Sequence, residues 1–191
     1  MKKVYLVVFI VCSFLSLGLK SYEYDFSIVP LADAVIICWP EPERTMIPPR
    51  RDVPEEYQAS FEKAASVADI PPGVLESIAF AESRFLATAK SPQRDDGYED
   101  LGMFQFNTQY LDWYSEHYNS GYPFDPVNPA EAVIVAAKHI KFLYERYNHW
   151  PTVCLAYNAG IGAVDRDEIP DSSYQYLVKV YQGGDYGPVC E

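Results

Sequence analysis

Glu82 is the residue of this chain whose type and placement point most directly to chemistry. Val74, Leu75, Ile78, Ala79 and Ala81 recur at helical steps, so Val74 to Arg84 predicts a short helix with an inward face. Glu82 follows Leu75 by seven residues and Ile78 by four, which puts it on that same face. A carboxyl placed there loses hydration, and its pKa should climb toward neutrality. A carboxylic acid still protonated near neutral pH can protonate a leaving oxygen and then act as a base. Glu76 sits about 120° round the helix and reads as solvated. A glutamate at a helix end can also swing out or pair with a neighbour such as Arg84, and periodicity alone favours that plainer reading.

A second group of acids, Asp95, Asp96, Glu99 and Asp100, lies in an irregular stretch from Leu86 to Asp100. Their spacing lacks the Asp/Asn pattern of a calcium loop, and a solvated acidic loop around Gly97 is the bland reading. The cysteines match no zinc spacing, and His117, His139 and His149 form no ligand pattern, so no metal or cofactor is implied. Aromatic residues crowd the segment from Phe104 to Phe124. Spacings of three and four make most of them core residues, while Tyr122 and Phe124, outside the helix, are the better candidates for a groove wall.

The elements that must position these groups are helical. Tyr57, Phe61, Ala64, Ala65 and Ala68 mark an amphipathic helix that Asp69-Ile70-Pro71-Pro72 ends. An aromatic helix is expected from about Thr108 to Asn119. The strongest runs from Ala130 to Tyr147, with Val133, Ala136, Ala137, Ile140, Leu143, Tyr144 and Tyr147 inward. Pro151 opens a shorter apolar helix through Tyr157, which Asn158-Ala159-Gly160 terminates. Asp171 or Ser172 can cap a last helix reaching about Tyr181. The fold class is therefore all-α: one globular helical domain over residues 55–182 with a short tail, 183–191.

Residues 22–54 read as an arm, because Pro30, Pro40, Pro42, Pro48, Pro49 and Pro54 prevent a long helix. Leu31 to Trp39 is apolar enough to lie as an extended strand. Ahead of the arm, Lys2 and Lys3 precede a 16-residue apolar run, Val4 to Leu19, with small residues near its end. That order is the pattern of a secretory signal peptide, here residues 1–21, and implies a periplasmic or secreted protein. The run is short for a span of about 20 residues, so membrane attachment arises only if the segment stays uncleaved.

Cleavage would remove Lys2, Lys3 and Lys20 and no acid, taking the formal charge from -12 to -15. Nucleic acid is excluded as a partner, since its phosphates demand neutralising Lys and Arg. A polyanionic substrate is also repelled at long range, which counts mildly against one. Cys154, in an apolar run, reads as a buried free thiol. Cys38 and Cys190 lie near the two ends of the mature chain and can pair in an oxidising compartment. A monomer is the default.

Several segments together resemble the soluble lytic transglycosylase catalytic domain, related in fold to goose-type lysozyme. Glu82-Ser83-Arg84-Phe85 is similar to that family's Glu-Ser-x-Phe, whose Glu is the catalytic acid and base. Ser91-Pro92 falls nine residues after Glu82, where the family has its Ser-Pro. Gly102-Met103-Phe104-Gln105 resembles Gly-Leu-Met-Gln, and Ala156-Tyr157-Asn158-Ala159-Gly160 is an unaltered Ala-Tyr-Asn-Ala-Gly. Tyr176-Leu177-Val178-Lys179-Val180 resembles the terminal segment whose Tyr hydrogen-bonds the catalytic Glu, with Tyr174 a rival for that role.

The resemblance implies a lysozyme-like body that binds glycan strands of peptidoglycan through Ser91, Gln105, Tyr157, Asn158 and Tyr176. Gln105 has the donor and acceptor to hold an N-acetyl or hydroxyl group. It also implies that a single Glu suffices, because the sugar's own 6-hydroxyl replaces water and closes a 1,6-anhydro ring. The interval from Glu82 to Gly102 is longer than the family's usual spacing, and it contains Asp95, Asp96, Glu99 and Asp100. Goose-type lysozymes keep their water-activating aspartates in this interval, so one of the four could make the enzyme a hydrolase, which ordinarily uses two carboxyls. A groove that binds glycan without cutting it is the third reading.

Overall fold

The computed structural model describes residues 29–31, 34–36 and 46–182. The chain divides into two units, Met1–Glu43 and Arg44–Glu191. In the first, β1 (Val29–Leu31) and β2 (Ala34–Ile36) form an antiparallel hairpin in which Val29 faces Ile36 and Leu31 faces Ala34. The strand expected over Leu31 to Trp39 is thus two short strands, the first carrying Pro30. The signal segment, the cleavage site and the Cys38–Cys190 pair lie outside the described residues.

The second unit holds seven α-helices among its described residues, and they follow the apolar periodicity of the chain. Helix α1 (Glu55–Ala68) buries Phe61, Ala64, Ala65 and Ala68, the stripe expected of it. Helix α2 (Pro72–Ser83) has Pro at its first position, where a missing N–H costs nothing. Helix α4 (Pro129–Tyr147) is capped by Asn128, whose side chain accepts from Ala130 N and donates to Glu131. It packs against α1, α2 and α5 (Trp150–Ala159), and α5 in turn packs on α7 (Asp171–Gln182). Val133, Ala136, Ala137, Ile140 and Leu143 are sealed from solvent, as is the free thiol of Cys154.

Three features depart from the sequence reading. Helix α6 (Ile161–Asp165) is too short to show a period. A small antiparallel pair, β3 (Asp100–Leu101) with β4 (Phe106–Asn107), closes the loop that follows the irregular stretch. The aromatic helix begins later than expected: a 3-10 turn at Thr108–Tyr110 precedes α3 (Leu111–Tyr118).

Glu76 corrects the sequence reading. Expected in solvent, it is 1% exposed. Every residue of α2 from Gly73 to Ala79 is buried, so this helix has no solvated face there. The cover over Glu76 is the end of the Pro-rich arm. Arg50 Nε donates to both Glu76 oxygens at 2.8 and 2.9 Å, and Arg51 N donates at 2.9 Å. Ser77 Oγ donates to Pro49 O at 2.6 Å, and Gly73 is needed because a Cβ there would lie 2.4 Å from Pro48 O. The last residues of the arm therefore belong to the helical body. Phe124 is a second correction: it is buried edge-on against Phe106 at 4.9 Å and walls nothing, whereas Tyr122 is exposed.

Candidate active site

Glu82 occupies the last turn of α2, part-buried, on the inward face that periodicity assigned it. The chain then turns sharply: Arg84 and Phe85 both take left-handed backbone conformations, φ +54 and +65. Two consecutive non-glycine residues in that region store strain, and packing must hold them there. Phe85 is buried against Phe61, with ring centroids 5.7 Å apart. Ser83 Oγ donates to Met103 O at 2.8 Å. The Glu-Ser-Arg-Phe segment thus presents one side chain for chemistry and uses two others to fix it.

The carboxyl of Glu82 is held protonated up to about pH 7, against an ordinary value of 4.5. Burial is the main cause; Asp100 adds to it, while Tyr176 and Lys179 oppose it. Tyr176, on α7, is buried and turns its hydroxyl toward the carboxyl, close enough to favour its anion. The pairing is loose, for Tyr176 Oη makes no well-formed hydrogen bond with any protein atom. Tyr174, the rival, is exposed. Tyr157 and Tyr114 also feel the charge of Glu82, and burial pushes both phenols up.

The remaining motif residues tie these elements to one another. Gly102 has φ +77, and a Cβ on it would fall 1.8 Å from Pro126 O, so only glycine fits. Gln105, itself left-handed at φ +50, donates from Nε2 to Gly102 O at 2.8 Å. Tyr157 OH donates to Phe104 O at 2.9 Å, which locks α5 onto that loop. Asn158 is exposed and accepts from Ser173 Oγ at 2.8 Å, joining the end of α5 to the start of α7. Ser91 Oγ accepts from Asp100 N at 2.8 Å, and Ser91 N donates to Asp100 O at 3.0 Å. The Ser91 hydroxyl therefore holds β3 in place.

Among the four acids of the interval, Asp95 and Asp96 are exposed and Glu99 is paired with Lys90. Asp100, part-buried and paired with Arg94 at 2.8 Å, is the member whose charge reaches Glu82. Two neighbours escaped the sequence reading. Tyr114 was indistinguishable from a core residue, since it lies four steps from both Tyr110 and Tyr118. Lys179 stood in a recognised segment but carried no assigned role; its Nζ donates to Ala81 O at 3.3 Å, one residue before Glu82.

Fold and site together define a lysozyme-like helical domain built around one protonated carboxyl. Residues 59–176 match the transglycosylase SLT domain, and the chain belongs to that family. It is 29% identical over 142 residues to peptidoglycan transglycosylase gp16 of Escherichia phage T7, a match covering 74% of this chain. The chain spans only 10% of that relative's length. Its fold is shared with lytic transglycosylase Slt of Pseudomonas aeruginosa, solved as an inactive Glu-to-Gln mutant (TM-score 0.55, 19% identity, 66% of this chain and 23% of that one). The 70 kDa soluble lytic transglycosylase of Escherichia coli is similar too (TM-score 0.57, 22% identity, 65% and 22%).

Proposed function

We propose that the chain is a peptidoglycan lytic transglycosylase with Glu82 as its acid and base. The observation that carries this reading is the Glu82 carboxyl, which keeps its proton to about pH 7 while remaining partly open to solvent. Such a group can protonate the glycosidic oxygen between N-acetylmuramic acid and N-acetylglucosamine. As the family resemblance implies, the 2-acetamido group assists at the anomeric carbon. The resulting Glu82 carboxylate then takes the proton of the 6-hydroxyl as the 1,6-anhydro ring closes. Tyr176 and Lys179 favour the anion formed midway, so the acid can give up its proton and recover it.

Gln105, Tyr157, Asn158 and Ser91 are the proposed glycan contacts. Gln105 spends one amide hydrogen on Gly102 and keeps its carbonyl and second hydrogen for a sugar. Asn158, exposed and used as an acceptor, leaves its NH2 to donate. Likeness to the phage peptidoglycan transglycosylase and the bacterial lytic transglycosylases supports this substrate class. The basic-then-apolar N-terminus supports export to the periplasm or beyond, where peptidoglycan lies.

Asp100 favours a second reading of the product alone. Its charge reaches Glu82, which makes it the candidate among the four for activating water. Digestion of purified cell-wall glycan by the native protein and by Glu82→Gln separates the readings. Anhydro ends are expected from the native protein, and a loss of about 10²–10⁴-fold in release from the variant. Reducing ends would make the enzyme a hydrolase, and pelleting with glycan without release would make it a binder. Equal release by Glu82→Gln would remove Glu82 from the mechanism.

A further inference from the structure

Glu82 and Tyr176 belong to different helices, and something must set the gap between them. Two cations tie α2 and α7 together through helix-end carbonyls. Lys179 of α7 donates to Ala81 O, in the last turn of α2. At the other helix, Arg51 Nη2 donates to Val180 O at 2.6 Å, in the last turn of α7. Carbonyls in a final turn have no partner within the helix and carry its negative end, so a cation there is doubly favoured. The same guanidinium donates from Nε to Ser77 Oγ of α2 at 3.0 Å and lies over the Phe80 ring at 5.5 Å. Its main-chain N–H is fixed on buried Glu76. Arg51 thus grips α2 at three points and α7 at one, and Val180 lies one turn beyond Tyr176 on the same face.

We propose that Arg51 is a positioning residue which, by bridging Ser77 and Val180, sets the separation between Glu82 and Tyr176. The proposal rests on Glu82 being the acid only for its effect on turnover; its effect on geometry is independent of that reading. A guanidinium suits the task because its planar fork reaches two acceptors in fixed directions, which an ammonium on a flexible stem does not.

The titratable groups facing Glu82 are Tyr176 and Lys179 from α7, Asp100 from β3, Tyr114 from α3 and Tyr157 from α5. Releasing α7 weakens the first two, both of which favour the anion, so the Glu82 midpoint should rise. The test is a carbon-13 NMR titration of the Glu82 carboxyl in the full chain, which needs no turnover, alongside kinetics on glycan. Arg51→Met should raise the midpoint by about half a pH unit. It should lower kcat by roughly tenfold or more with KM little changed, as a displaced catalytic group does. Arg50→Met, whose bonds go to Glu62 and Glu76 rather than α7, should lower thermal stability and leave the midpoint in place. Should Arg51→Met not fold, Arg51→Lys, which cannot span both acceptors, is expected to show the same rise. An unchanged midpoint, a fall, or equal shifts in the Arg50 and Arg51 variants would each overturn the proposal. A midpoint that rises while Glu82→Gln stays active would uphold the positioning and refute the catalytic reading instead.

Discussion

The buried hydroxyl of Tyr176 faces the Glu82 carboxyl yet closes no full hydrogen bond with it. The contact lowers the pKa of Glu82 against the larger upward push of burial. Removing it should therefore raise that pKa above its present value of about 7. Tyr176→Phe keeps the ring and deletes the oxygen. The pH–rate profile should move to higher pH and the maximal rate should fall about tenfold. A profile that stays in place would show that the hydroxyl does not act on Glu82.

The raised pKa also has a consequence for stability. Below the ordinary value of 4.5, Glu82 is neutral whether the chain is folded or unfolded. Between 4.5 and about 7 the unfolded chain releases the proton and the native one retains it, so native stability falls as pH rises. Above that range the loss levels off at roughly 3 kcal/mol. Glu82→Gln cannot ionise and should be more stable than the native protein at pH 8. The advantage should shrink to nothing near pH 4. Denaturant melts at both pH values check this, and a pH-independent difference would contradict the desolvated carboxyl.

Gly102 offers a steric prediction. Its backbone is left-handed and its Cα is pressed against Pro126 O, which would stand 1.8 Å from an added Cβ. A main-chain oxygen in the way cannot rotate aside as a side chain does. Gly102→Ala should cost more than about 3 kcal/mol and yield little soluble protein. A near-native melting temperature would mean that the loop carrying Met103 to Gln105 shifts freely.

Helix positions and the inward face of α2 were legible in the sequence because burial imposes a period on the residues that experience it. The same logic placed Glu82 among apolar neighbours, and a family likeness made its role specific. Glu76 was misread for a related reason. Periodicity finds the face toward the core, but a second cover, the end of the Pro-rich arm, lies on the opposite side of α2 and leaves no trace in the helix's own pattern. Phe124 was misjudged because its place outside a helix says nothing about depth.

By itself the sequence determined the main helices and the family, since both are written in local spacing or short motifs, and it singled out Glu82 as the acid proposed above. Only the tertiary structure decided which further polar and charged groups surround that acid. Lys179, Asp100 and Tyr114 approach Glu82 from three different elements, while Asp95 and Asp96, nearer in sequence to Glu82 than Asp100 is, remain in solvent. Electrostatic influence depends on distance through space and on excluded water, and neither is encoded by separation along the chain.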